Sequence, residues 1–279
     1  MKQEEKIISL IKLLVSRDDA KREQSYSELR QSKNKSILPL LIKSLDDPDP
    51  LIRKFSVDLL GDRKEEGSTA PLIKKLNDPD IRVILSALMS LGEIGDIEAI
   101  DEIAMMLKDD SPFFYFIRLG AIDALAKIGS REAVKYLIDA IKEDDILLMR
   151  NMIETLIQLD PSSSVAPLIE MLNDKTSLCR DQAIEFLGSL GDKKATEPLL
   201  NILKEDDREL KICAVQALGK TGKEECLLPL AELYKETENE LLKKSTQEAI
   251  KTILKKHEIQ INNLSKEIID KLLSTSLSK

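Results

Sequence analysis

Few residues in this chain could do chemistry, and those that could recur at a fixed spacing. Adjacent carboxylates stand at Asp109-Asp110, Asp144-Asp145 and Asp206-Asp207, the pairing that general acid–base work would use. Each pair falls in a turn of a repeating pattern, where aspartate caps helices far more often than it moves protons. His257 is the only histidine, close to the carboxyl end. One imidazole there cannot complete a nucleophile–His–acid trio elsewhere, and at a helix end it interacts most simply with the dipole. Cys179, Cys213 and Cys226 have no metal-ligand spacing and replace small or core residues, so they read as packed, reduced thiols of a cytoplasmic protein. No glycines form a phosphate loop. The expectation is a non-enzymatic chain with no cofactor and no metal.

The cations recur too. Arg22, Arg53, Arg118, Arg180 and Lys211 occupy one equivalent position, and Asp47, Asp78, Asp110, Asp144, Asp174 and Asp206 recur in turns with the same period. A basic ladder could hold an acidic ligand. The matching period of the acids favours a structural ladder instead, each cation bonding a turn acid or carbonyl of its own or the preceding repeat. Lys and Arg number 42 against 50 Asp and Glu, a net charge of −8, which disfavours a nucleic-acid surface.

The elements that carry these residues are helices. A small residue, then Leu and a Gly slot, recurs at Leu60-Gly61, Leu91-Gly92, Leu125-Ala126, Leu156-Ile157, Leu187-Gly188, Leu218-Gly219 and Ala249-Ile250, spaced 31, 34, 31, 31, 31 and 31 residues apart. Such a period means one supersecondary unit stacked many times. Each unit reads as a shorter first helix and a longer second helix. Pro39, Pro71, Pro167, Pro198 and Pro229 fall in first turns, and Pro161 in a connection. Asp49-Pro50 and Ser111-Pro112 read as N-cap and first helical residue. Gly61, Gly92, Gly95, Gly129, Gly188, Gly191, Gly219 and Gly222 read as helix stops. No apolar run is long enough for a membrane span, and the amino terminus lacks a basic leader.

Ala214-Val215-Gln216-Ala217-Leu218-Gly219 and Ala121-Ile122-Asp123-Ala124-Leu125-Ala126 fit the signature Val-Arg-x-x-Ala-Ala-x-Ala-Leu-Gly. The chain thus resembles the HEAT repeat, of the phycobilisome-lyase-like type. The resemblance implies an all-α, right-handed α-solenoid of about eight helix pairs: 3–31, 36–61, 69–92, 98–128, 131–158, 163–188, 194–219 and 225–256, with a capping helix at 265–275, all one domain over 1–279. It is nearly silent on function. Such families include scaffolds, bilin lyases, an iron hydroxylase and DNA glycosylases. A hydroxylase would need several His-Glu ligand pairs, which are absent. A bilin lyase-like protein would need an apolar pocket with cations for propionates, which Phe116, Gly120 and Arg150 could supply crudely. A DNA-processing protein would need a basic groove, against which Glu154, Asp181 and Glu185 argue.

One stretch breaks the period. The third full unit gains three residues and reads Ser111-Pro112-Phe113-Phe114-Tyr115-Phe116-Ile117, holding four of the nine aromatics. In a HEAT solenoid the second helices line the concave surface, and the positions three, six, seven and ten before the slot face it. Early units place Phe55, Leu85, Met89, Phe116 and Leu119 there, flanked by Leu51, Leu147 and Phe113, with Arg150, Asn151 and Glu154 as a polar rim. Later units place Asp181, Gln182, Glu185, Gln216, Lys243, Lys244 and Gln247 there. Gly120 lies mid-helix and would leave a dimple beside Phe116. The leading expectation is a cytoplasmic interaction scaffold holding a partner protein's helix or peptide in this groove.

Overall fold

The computed structural model describes residues 2–65, 67–108, 110–141, 146–221 and 223–256. His257 and the expected cap at 265–275 lie outside them, as do Asp109, Asp144, Asp145 and Gly222. The chain divides into two compact units, Met1–Asp160 and Pro161–Lys279. Among the described residues there are sixteen α-helices and no strand.

The first unit pairs α1 (Lys2–Leu13) with α2 (Asp19–Gln31), α3 (Ile37–Ser44) with α4 (Pro50–Arg63), and α5 (Thr69–Lys74) with α6 (Ile81–Ile94). It continues with α7 (Ile100–Met105), α8 (Phe114–Ile128), α9 (Val134–Ile141) and α10 (Ile146–Leu159). The second unit pairs α11 (Pro161–Asn173) with α12 (Arg180–Leu190), α13 (Thr196–Ile202) with α14 (Arg208–Thr221), and α15 (Leu227–Glu236) with α16 (Glu240–Lys256). Second helices pack on second helices in order: α4 on α6 and α6 on α8 in the first unit, α12 on α14 and α14 on α16 in the second.

The recurring Leu is the core. Leu60, Leu91, Leu125, Leu156, Leu187 and Leu218 are all fully buried, each contributing about 1.5–3 kcal/mol of apolar burial. The small residue four before it is also buried, at Ser56, Ala87, Ala121, Ala183 and Ala214.

The slot glycines do not stop helices. Gly61, Gly92, Gly188 and Gly219 lie inside α4, α6, α12 and α14. A Cβ on Gly188 would lie 2.6 Å from Ala217 Cβ and 2.7 Å from its Cα, and one on Gly92 would lie 3.0 Å from Ala124 Cα. The slot is therefore where consecutive second helices touch backbone to backbone. Stopping falls to Gly95, Gly129 and Gly191, with φ of 76°, 72° and 64°, the left-handed region that glycine enters without steric cost.

Proline placement differs from expectation at two places, before α8 and in α11. α11 begins at Pro161, so Pro167 is interior and Pro161 is helical. Because α10 ends at Leu159, the next first helix follows almost at once and starts a turn early.

The insertion also differs. α8 starts at Phe114, with Phe113 as its N-cap residue, so Pro112 is not its first helical residue; Ser111 Oγ accepts from the Phe113 amide at 3.3 Å. Measured back from the slot, α8 starts one residue earlier than α4 and α6. Most of the three added residues lengthen the connection, so Phe116 keeps the register of Leu51 and Arg82.

Candidate functional site

Two of the ladder cations, Arg53 and Arg180, tie one repeat to the next. Arg53 donates from Nε and Nη2 to Asp78 at 2.9 and 2.7 Å, and from Nη1 to the Asp47 carbonyl at 3.0 Å. The two side chains are 11% and 2% exposed, so the fork is a buried, bidentate pair. Arg180 repeats the arrangement in the second unit, donating to the Leu172 carbonyl at 2.9 Å and to Glu205 at 2.8 Å. The carbonyl is the unit's own, but the acid belongs to the following unit, not the preceding one. Arg22 reaches the Ser16 carbonyl at 2.8 Å and Asp19 at 2.8 Å. Arg118 is half-buried in α8, and Lys211 is half-buried with no side-chain bond or ion pair among the described residues.

Turn aspartates do cap. Asp49 accepts from the Leu51 amide at 2.9 Å, Asp80 from Arg82 at 2.9 Å, and Asp207 from Glu209 at 2.9 Å. The hydrogen bond from the Arg82 side chain holds the Asp80 carboxyl down at about 2. A carboxylate committed to an amide and a guanidinium is a poor general base.

A second device, not legible in the sequence, closes helix ends. Arg63, near the end of α4, donates from Nη1 to the carbonyls of Leu29, Arg30 and Ser32 at 2.8, 3.0 and 2.8 Å. Lys256, at the end of α16, does the same to Lys220 and Thr221 of α14 at 3.1 and 3.4 Å. The last carbonyls of one second helix are thus satisfied by the next. Only the placement of a cation shortly after the slot hints at it.

The residues expected to hold a partner all lie in the first unit, on α4, α6, α8 and α10 and on the connection before α8. Met89, Phe113 and Phe116 are 53%, 50% and 56% exposed, and Leu51 is 36% exposed. Phe55, Leu85, Leu119 and Asn151 are half-buried, and Arg150 and Glu154 are exposed and paired at 3.5 Å. Phe55 meets Tyr26 edge-on at 6.2 Å between ring centroids, with the Lys54 ammonium 5.1 Å from its ring. Phe116 meets Tyr115 the same way at 5.6 Å. Gly120 leaves no dimple: a Cβ there would lie 3.1 Å from Leu88 Cδ1 and 3.6 Å from Leu85 Cδ2. It lets α6 approach α8, and the pocket a tetrapyrrole would want beside Phe116 is filled by leucine.

The same positions also carry charge that an apolar reading passes over. Lys54 and Asp58 pair at 2.6 Å, and Arg82 pairs with Asp80 at 2.6 Å. The face is an apolar band with ionic stations in it.

No group of three or more His, Cys, Asp or Glu able to hold a metal occurs among the described residues. No described helix is long and apolar enough to cross a membrane. None of the three cysteines is in a disulfide; burial pushes Cys226 up to about 11, and burial followed by the charges of Asp181, Glu185, Asp207 and Glu209 raises Cys213.

Comparison with solved structures returns helical repeat proteins. A chain of a Kap95p–RanGDP structure superposes with a TM-score of 0.55 at 15% identity, over 95% of this chain and 42% of that one. YIBA_ECOLI superposes at 0.53 and 20% identity, over 87% and 91%. A chain of the complex of CpcE and CpcF of phycocyanin lyase from Nostoc sp. PCC7120 gives 0.44 and 19%, over 84% and 92%. No curated protein sequence matches. The HEAT-repeat profile matches in overlapping windows, 38–115, 69–157, 112–187, 142–219 and 165–251. Period, buried Leu, second-helix stacking and profile agree: the chain belongs to the HEAT-repeat family, an all-α solenoid of the HEAT and armadillo kind.

Proposed function

We propose that this protein is a non-enzymatic interaction scaffold that holds a segment of a partner protein against the second-helix face of its first unit. HEAT repeats are protein-binding repeats, and stacked second helices offer the extended surface such proteins use. The observation that carries the reading is the gathering of Leu51, Met89 and Phe116, exposed by 36%, 53% and 56%, on one face. Exposed apolar side chains scattered singly need no explanation, whereas a contiguous set marks a binding surface. Phe55, Leu85, Leu119 and Phe113 extend the band, and Arg150, Asn151 and Glu154 bound it. Three cysteines outside any disulfide fit a cytoplasmic protein.

The test is affinity capture with the intact chain and with a Phe116→Ala, Met89→Ala variant. Both side chains are more than half exposed, so circular dichroism should be unchanged. Truncating central anchors costs about 2 kcal/mol or more each, so capture should disappear. A folded variant that still captures the same partner places the binding surface elsewhere.

A further inference from the structure

This inference rests on the reading above, that the α4–α10 face holds a protein segment, and gives that segment's chemistry. We propose that the occupant is an α-helix crossing α4, α6, α8 and α10, with apolar side chains every seven residues and lysine or arginine along one flank.

The apolar stations are Leu51 with Phe55 on α4, Leu85 with Met89 on α6, and Phe116 with Leu119 on α8. Packed helices stand about 8–10 Å apart. A helix laid across them rises 1.5 Å per residue, so seven residues advance about 10.5 Å and return to nearly the same face. Residues i, i+7 and i+14 therefore meet the three stations in turn. An extended strand returns to one face only at even steps, about 6.7 or 13 Å, and misses alternate stations.

Charge then sets the flank. Toward the carboxyl ends of the second helices runs the row Asp58, Met89, Asp123, Glu154. The cations of the face are spent internally: Lys54 on Asp58 at 2.6 Å, Arg82 on Asp80 at 2.6 Å, Arg150 on Glu154 at 3.5 Å. Asp123 is exposed and has no ion pair or hydrogen bond among the described residues. The uncompensated charge along this edge is therefore negative: it is Asp123 on α8, at the position equivalent to Met89 on the neighbouring α6. A lysine or arginine can lay its aliphatic stem over exposed Met89 and carry its charge to Asp123.

The test uses a displayed library of 22-residue helices selected on the intact chain. Enriched sequences should carry apolar residues at i, i+7 and i+14 with lysine or arginine on one flank. Asp123→Lys should weaken the selected peptide by about tenfold, and glutamate in place of the peptide's lysine should restore binding to that variant. Acidic flanks, indifference to Asp123→Lys, or no enrichment at all would overturn the inference. Binders that need Phe116 and Met89 but neither the seven-residue spacing nor Asp123 would overturn it too, leaving the protein-binding reading intact. Binders indifferent to Phe116 and Met89 would sink both.

Discussion

Replacing Gly188 with alanine tests whether the slot is a helix crossing. Alanine is the better helix former by about 0.8–1.0 kcal/mol, and Gly188 sits inside α12, so propensity alone says the variant is more stable. The crossing says otherwise. The new Cβ would stand 2.6 Å from Ala217 Cβ and 2.7 Å from Ala217 Cα, roughly 1 Å inside ordinary carbon contact. One contact is with backbone, so no side-chain rotation relieves it, and α12 and α14 must part. Overpacking costs about 1–3 kcal/mol, and contacts this short with backbone stand at the upper end of that range, leaving a net loss of about 2 kcal/mol. At about 2–4 °C per kcal/mol for a chain of this size, the thermal midpoint should fall by several degrees, measured by circular dichroism at 222 nm. Gly219→Ala, with its nearest atoms at 3.0 Å, should be close to neutral. Ala217→Gly removes the Cβ contact but leaves the Cα one, so a double-mutant cycle with Gly188→Ala should show coupling with only part of the loss recovered. A rise in midpoint for Gly188→Ala, or strictly additive effects of the two substitutions, refutes the crossing.

Arg53→Ala takes both guanidinium bonds from Asp78, a carboxylate 2% exposed that is left with the Asp80 amide at 3.0 Å and Lys75 at 3.9 Å, and should lower stability by about 3 kcal/mol; Arg180→Ala, whose acid partner Glu205 is 24% exposed, should cost less, about 1–2 kcal/mol. Urea midpoints for the two variants give the order. Acid should unfold the protein in a defined window. Asp80, bonded by Arg82, is held down at about 2, and Asp96 and Glu205 are lowered by Thr69 and Arg180. Carboxylates depressed in the fold contribute stability above their unfolded values of about 4 and lose it as pH falls through the folded ones. Urea midpoints should therefore drop between about pH 4 and pH 2, and flat midpoints across that window would contradict the capping geometry. A thiol reagent at pH 8 should label Cys213 slowly and leave Cys179 and Cys226 unlabelled until denaturation, since both are buried and the Cys226 thiol is pushed up to about 11.

Period, helix pairs and the buried Leu were legible in the sequence because each leaves a residue type at a fixed spacing. The slot glycine was legible as a position but not as a contact. The same glycine suits a stop and a crossing, and only the distance to Ala217 or Ala124 separates them. Gly120 misled for the same reason: a missing side chain can mean empty space or a neighbour's approach, and Leu88 makes it the latter. The groove residues were picked by apolarity, which passed over Lys54, Asp58, Arg82 and Asp123 at equivalent positions. The direction of the ladder was invisible, since the acids before and after Arg53 recur at the same interval.

The reach of Arg53 to Asp78, of Thr69 to Asp96 at 2.6 Å, and of Arg63 back to the end of α2 gives the stack a temporal order. The early repeats leave the ribosome incomplete. Arg53 is made 25 residues before its acid, and the last carbonyls of α2 wait 31–34 residues for Arg63. A nascent unit therefore exposes an unpaired guanidinium and bare carbonyls until its successor emerges, and closes when the successor folds onto it. Premature termination would leave its damage one unit upstream of the cut, in a repeat whose own sequence is whole.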